Sequence, residues 1–133
     1  MNAHVKQVVQ ECTTGSDQER LGFPEVVAKL MDAGIERYHA DLRRAEKTYY
    51  LPTGESFVTP AEAVDGEPAE AFSAAGVEAA IRAIQTQSIA YGEFCTRIVE
   101  AGCVGYLVSL AGKRAVYYGR TGEMHVELFP GAP

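Results

Sequence analysis

The chain nearly repeats itself, and this constrains its fold more than any other feature. Laid over each other at a constant offset of 68 and without a gap, residues 23–58 and 91–126 share 11 identities in 36 positions. The shared residues are Glu25/Glu93, Ala33/Ala101, Gly34/Gly102, Tyr38/Tyr106, Leu42/Leu110, Tyr49/Tyr117, Tyr50/Tyr118, Thr53/Thr121, Gly54/Gly122, Glu55/Glu123 and Val58/Val126. Composition alone gives roughly two matches over that length. Two unrelated stretches would not both carry Tyr-Tyr-x-x-Thr-Gly-Glu, so the spacing predicts an internal duplication, one structural unit used twice.

Each unit reads locally as helix and strands. Val26, Val27, Leu30 and Met31 recur at helical spacing, as do Phe94, Cys95, Ile98 and Val99. Both helices run into Ala-Gly, and Gly34 and Gly102 suit the left-handed position beyond a helix end. Strands are predicted over 35–42 and 103–110, then 46–51 and 114–119, then 55–59 and 123–129. Val5, Val8, Val9 and Cys12 form the apolar face of a further helix, as do Val77, Ala80, Ile81 and Ile84. Residues 13–20 read as a polar loop and 60–75 as a linker with a short helix started at Thr59-Pro60. The expectation is an α+β fold in a single domain, 1–133, of two α-α-β-β-β units (1–59 and 76–133) joined by linker 60–75. Each unit is a three-stranded antiparallel meander with helices packed on one face.

A chain of 133 residues is the size of one domain, and 47% apolar content can fill a core. The net charge of −6 opposes binding to nucleic acid or to an anionic membrane. No apolar run is long enough to span a bilayer, and Met1-Asn2-Ala3-His4 lacks a signal-peptide pattern. Cys12, Cys95 and Cys103 are scattered without a CxxC and read as inert buried thiols, which points to the cytoplasm.

Alternation along the strands assigns their faces if the hairpin turns 43–45 and 111–113 have three residues. Tyr38/Tyr106 and Tyr50/Tyr118 then face the helices, and His39, Tyr49 and Phe57 share one row on the outer face. Leu107, Tyr117 and His125 form the corresponding row in the second unit. The candidate binding residues are accordingly His39, Asp41, Tyr49, Phe57, Tyr117 and His125, serving a small ligand or self-association as a homodimer. They suit a non-enzymatic binding or regulatory module. The alternative is a small enzyme using His39 and Asp41 as an acid–base pair beside Tyr49, although no nucleophile stands next to them. No nucleotide, zinc-protease or serine-hydrolase motif is present, so no cofactor and no metal site is expected.

The stretches Phe23-Pro24-Glu25-Val26-Val27, Glu36-Arg37-Tyr38-His39-Ala40-Asp41-Leu42 and Glu46-Lys47-Thr48-Tyr49-Tyr50-Leu51-Pro52 give the chain a resemblance to a known family. It resembles small bacterial and prophage-borne proteins catalogued as a domain of unknown function and sometimes labelled "phage envelope protein". The resemblance runs through most of the chain, adds a phage structural component as a further alternative, and implies no catalytic residue or cofactor.

Overall fold

A computed structural model describes residues 1–131. Helices α1 (Ala3–Asp17) and α2 (Phe23–Asp32) lead into strands β1 (Arg37–Asp41), β2 (Glu46–Tyr50) and β3 (Ser56–Pro60). Helices α3 (Ala74–Gln85) and α4 (Tyr91–Glu100) then lead into β4 (Cys103–Ser109), β5 (Arg114–Gly119) and β6 (Met124–Leu128). The expected α+β class is the one observed. All six strands form one antiparallel sheet in the order β3-β2-β1-β4-β5-β6, and the helices cover one of its faces.

Local chemistry sets the helix ends. Asn2 Oδ1 accepts the Val5 amide at the start of α1, and Ser73 Oγ accepts that of Gly76 at the start of α3. At α2 the Gly22 amide donates to the Glu25 carboxylate, with Pro24 in the first turn. Helices α2 and α4 stop at Gly34 and Gly102, whose φ values of 83° and 95° are left-handed.

Two expectations about the connections fail. Residues 13–17 continue α1 and only 18–20 of the expected loop lie beyond it, because Thr13 finds its partners inside. Thr13 is buried, and its hydroxyl bonds Tyr49 (2.8 Å) and Thr59 (2.7 Å), tying the helix to β2 and β3. The segment between β3 and α3 holds no helix. It is pinned by packing: the Ser73 amide donates to the Ala101 carbonyl, and Phe72 lies so close to Gly119 that a Cβ there would sit 2.8 Å from it.

The seam between the halves has the register that a two-fold relation produces. At β1–β4, His39 faces Leu107, its own counterpart at the offset of 68, while Tyr38 faces Val108 and Ala40 faces Tyr106. Left-handed residues recur at the same offset: Glu19 with Gln87, Gly34 with Gly102, Ala45 with Lys113, and Gly54 with Gly122.

Ala45 and Lys113 also explain where the face assignment errs. Asp41 pairs with Glu46, so four residues (42–45) connect β1 to β2, one more than expected. Asp41 Oδ1 accepts the Arg43 and Arg44 amides to shape this turn, and Ser109 Oγ accepts the Gly112 amide in the other hairpin. The extra residue shifts the register by one position and turns over every strand after β1 and after β4. Tyr38 and Tyr106 face the helices as expected. Tyr49 (1% exposed), Tyr117 (8%), Phe57 and His125 do too, contrary to their placement on the outer face. Tyr50, Tyr118, Thr48, Ser56, Val58, Val116, Met124, Val126 and Leu128 take the outer face in their stead. His39 and Asp41 lie on the outer face, as the sequence reading had them.

Candidate ligand cavity

Two rows of side chains cross the inner face of the sheet. One reads Thr59–Lys47–Ala40–Tyr106–Tyr117–His125 and the other Phe57–Tyr49–Tyr38–Val108–Ala115–Glu127. The offset of 68 exchanges them, so Lys47 corresponds to Ala115, Thr59 to Glu127 and Phe57 to His125. Four tyrosine rings form a continuous run across the middle. Tyr49 and Tyr38 have centroids 5.2 Å apart, Tyr38 and Tyr106 6.5 Å, and Tyr106 and Tyr117 5.3 Å, with Phe94 of α4 edge-on to Tyr117 at 6.2 Å.

Between this run and the helices lies a cavity of about 570 Å³. Its floor includes Tyr38, Tyr106, Ala115 and Tyr117; Ile81, Ile84, Val26 and Phe94 wall it from the helices; Phe23 and Phe129 pack edge-on, 5.3 Å between centroids, along its rim. That volume is in the range of sites for drug-sized molecules. A smaller recess of about 280 Å³ lies beside it, with six acidic residues in its lining, including Asp17, Asp41 and Glu62, and the two share Lys47, Tyr91 and Glu19.

Lys47 is the electrostatic centre of the larger cavity. It is 4% exposed and the only basic residue among the lining side chains, and its Nζ stands 4.7 Å from the centre of the Tyr91 ring. Burial pulls its ammonium below the ordinary lysine range, against a smaller opposing pull from Asp17. Asp17 is not close enough to form an ion pair, and its carboxylate accepts the Glu62 amide. Beside Lys47 the Tyr91 and Tyr106 hydroxyls bond each other at 2.7 Å. The Tyr38 and Tyr117 hydroxyls take no side-chain partner among the described residues and open onto the cavity, since no side-chain oxygen or nitrogen there is both buried and unpartnered. Burial raises all four phenols well above the ordinary tyrosine value, so each keeps its proton. Glu127 also lines the cavity, but Arg82 holds both its oxygens (2.9 and 3.2 Å) and His125 reaches it at 3.2 Å. Burial pushes the Glu127 carboxyl up, and these two partners outweigh it and hold it low.

The chain belongs to a family of unknown function. The family model, described as "Protein of unknown function (DUF1398)", matches residues 15–127, which include both inner rows and most of the cavity lining. Comparison with curated proteins gives no match.

Of the residues singled out from sequence, the inner face gathers Tyr49, Phe57, Tyr117 and His125, of which Tyr117 lines the cavity. His39 is separated from it by the sheet, and Asp41 lines only the smaller recess beside it. His39 Nε2 bonds the Tyr118 hydroxyl (2.7 Å), which crosses Gly105 so closely that a Cβ there would lie 2.5 Å away. Asp41 is engaged in its turn, and no hydrogen bond joins it to His39 among the described residues. The sequence reading missed Lys47, Tyr91 and Ala115. A usable signal was present: Asp41 and Ser109 are residues that cap a four-residue turn, and that turn length sends Lys47 inward. No helix is long and apolar enough to cross a membrane, and no His/Cys/Asp/Glu cluster suited to a metal occurs among the described residues.

Proposed function

We propose that the protein is a non-enzymatic binding module for a small molecule, and that its site is the cavity between sheet and helices, not the outer sheet face. The observation that carries this reading is a cavity of about 570 Å³ with apolar walls that contains a buried ammonium and two unpartnered phenols. Well-packed interiors leave few voids larger than a water molecule, and the ammonium and phenol groups here face open space in the cavity, where a ligand can reach them. The test combines native mass spectrometry of freshly purified protein with calorimetric titration of decanol, a neutral apolar probe. A retained small mass or decanol binding, either one abolished by the cavity-filling change Ala115→Leu, supports the reading. No retained mass and no decanol binding to the wild type overturns it.

The outer face supports a second reading, self-association with another copy of the chain. The row Val58–Thr48–His39–Leu107–Val116–Val126 crosses all six strands, and Val58, Val126 and neighbouring Met124 are 48%, 44% and 60% exposed. At about 4.8 Å per strand and 3.3 Å per residue the face covers roughly 500 Å², enough for a weak dimer rather than an obligate one. A dimer in native spectra that is lost in Val126→Lys supports this; a monomer at high protein concentration excludes it.

A further inference from the structure

Resting on the cavity reading, we infer that the ligand is an amphiphile with a single anionic, acceptor-bearing head, of which a carboxylate on an apolar body is the simplest form, held head-first against Lys47.

The hydrogen-bond inventory of the cavity points this way. A lysine ammonium offers three donors and no acceptor. Lys47 presents them in a space where its only close partner is the face of Tyr91, and no carboxylate reaches it. The Tyr38 and Tyr117 hydroxyls, with protons held by burial, add two further donors without partners. Free donors therefore outnumber free acceptors at the inner end. Of the two carboxylates that line the cavity, half-buried Glu127 is already matched by Arg82 and His125 and exposed Glu19 makes no ion pair with Lys47, whose largest opposing charge is Asp17 at longer range. A cationic head would be repelled by Lys47 and would leave its donors unused. A neutral ligand that filled the cavity would exclude water from the ammonium and leave it unpaired. An anion that accepts from Lys47 resolves both difficulties, and the apolar walls take the remainder of the molecule.

The two-fold relation supports the same head position. In one half Lys47 lies over Tyr91, whose hydroxyl bonds Tyr106. In the other half the corresponding residues are Ala115, Phe23 and Tyr38. Phe23 has no hydroxyl to offer Tyr38 and packs on Phe129 at the rim instead. The cavity thus takes the space that a long side chain and a phenol fill on the opposite side, and the Tyr38 hydroxyl faces it without a partner.

The experiment is a head-group series on one tail, decanoate, decanol and decylamine, titrated calorimetrically into the full-length protein at neutral pH. Decanoate is expected to bind about tenfold more tightly than decanol, the scale of one hydrogen-bonded charge, with decylamine the weakest. Lys47→Met should bring decanoate down to the level of decanol while decanol is unchanged. Ala115→Leu should block all three. If the three wild-type affinities are equal, or decylamine leads, the anion inference falls while the cavity reading stands. If decanoate binds Ala115→Leu as it binds the wild type, its site is elsewhere and the inference falls. If none of the three binds, the cavity reading itself fails. The wild-type series decides between these outcomes even if Lys47→Met does not fold.

Discussion

The two halves of the sheet carry the same tyrosines and differ in what surrounds them. Tyr106 has a hydroxyl partner in Tyr91, with Lys47 across the Tyr91 ring; its counterpart Tyr38 has Ala115 and Phe23 in the corresponding places and no partner. Tyr49 is bonded to Thr13, whereas its counterpart Tyr117 meets the isoleucine-lined wall of α3. One side of the core is filled by polar side chains and the other is left open. The matched positions differ chiefly in lysine against alanine and tyrosine against phenylalanine, while both halves keep the same order of strand pairing. Cavity volume depends on side chains at matched positions, whereas the sheet depends on turns and alternation, so the two can vary separately.

The largest expected effect tests the faces on which this comparison rests. Tyr49→Ala and Tyr117→Ala together should cost roughly 3–5 kcal/mol each by urea denaturation, against about 1 kcal/mol for Tyr50→Ala or Tyr118→Ala. Equal losses would mean that the hairpin register is wrong. The next concerns Lys47, which packs as an unpaired charge where Ala115 packs without strain. Lys47→Met should stabilise the ligand-free protein by about 1–3 kcal/mol, and a loss of stability would show that the charge has a partner inside.

A third prediction separates the halves by pH. Burial pushes Cys12, in the first half, and Cys95 and Cys103, in the second, up to about 11 from 9.0. Folded thiols therefore keep their protons after unfolded ones have lost them. The stability they contribute is complete below pH 9 and drains away as pH rises through 11, on the order of 2–3 kcal/mol per thiol. The fall in stability from pH 8 to pH 10 should be reduced more by Cys95→Ala with Cys103→Ala than by Cys12→Ala alone. The smallest effect concerns the hairpin turns. Ala45 and Lys113 hold left-handed φ values of 55° and 52°, so Ala45→Gly and Lys113→Gly should each raise the unfolding midpoint slightly, by about 0.5 kcal/mol. A larger gain in one would show that the two turns are strained unequally.

Much of the fold was legible in the residues themselves. Helical spacing, the Ala-Gly helix ends and the paired Tyr-Tyr-x-x-Thr-Gly-Glu segments were enough to give element order and class, because these are local signals repeated twice. The faces of β2, β3, β5 and β6 were not legible by alternation. Tyr49-Tyr50 and Tyr117-Tyr118 place an apolar ring on each side, so either parity looks plausible. Lys47 gives no warning of the inner side, since lysine is almost never buried. A lysine held inside is the kind of residue that misleads a reading based on burial preference. Residues 13–17 misled for a related reason, as Thr13 looks like loop chemistry until its partners, distant in sequence, are known.

The strand order also bears on how the molecule assembles. Within each half every strand pairs with its sequence neighbour, so both meanders can close over short loops on fast timescales. Only the β1–β4 ladder joins residues far apart in the chain, and the run of tyrosines lies across that seam. The pocket therefore does not exist until the two meanders have docked. A molecule that fills it is recognised by the joined state alone, and would hold the seam shut, slowing the separation of the halves in proportion to its affinity.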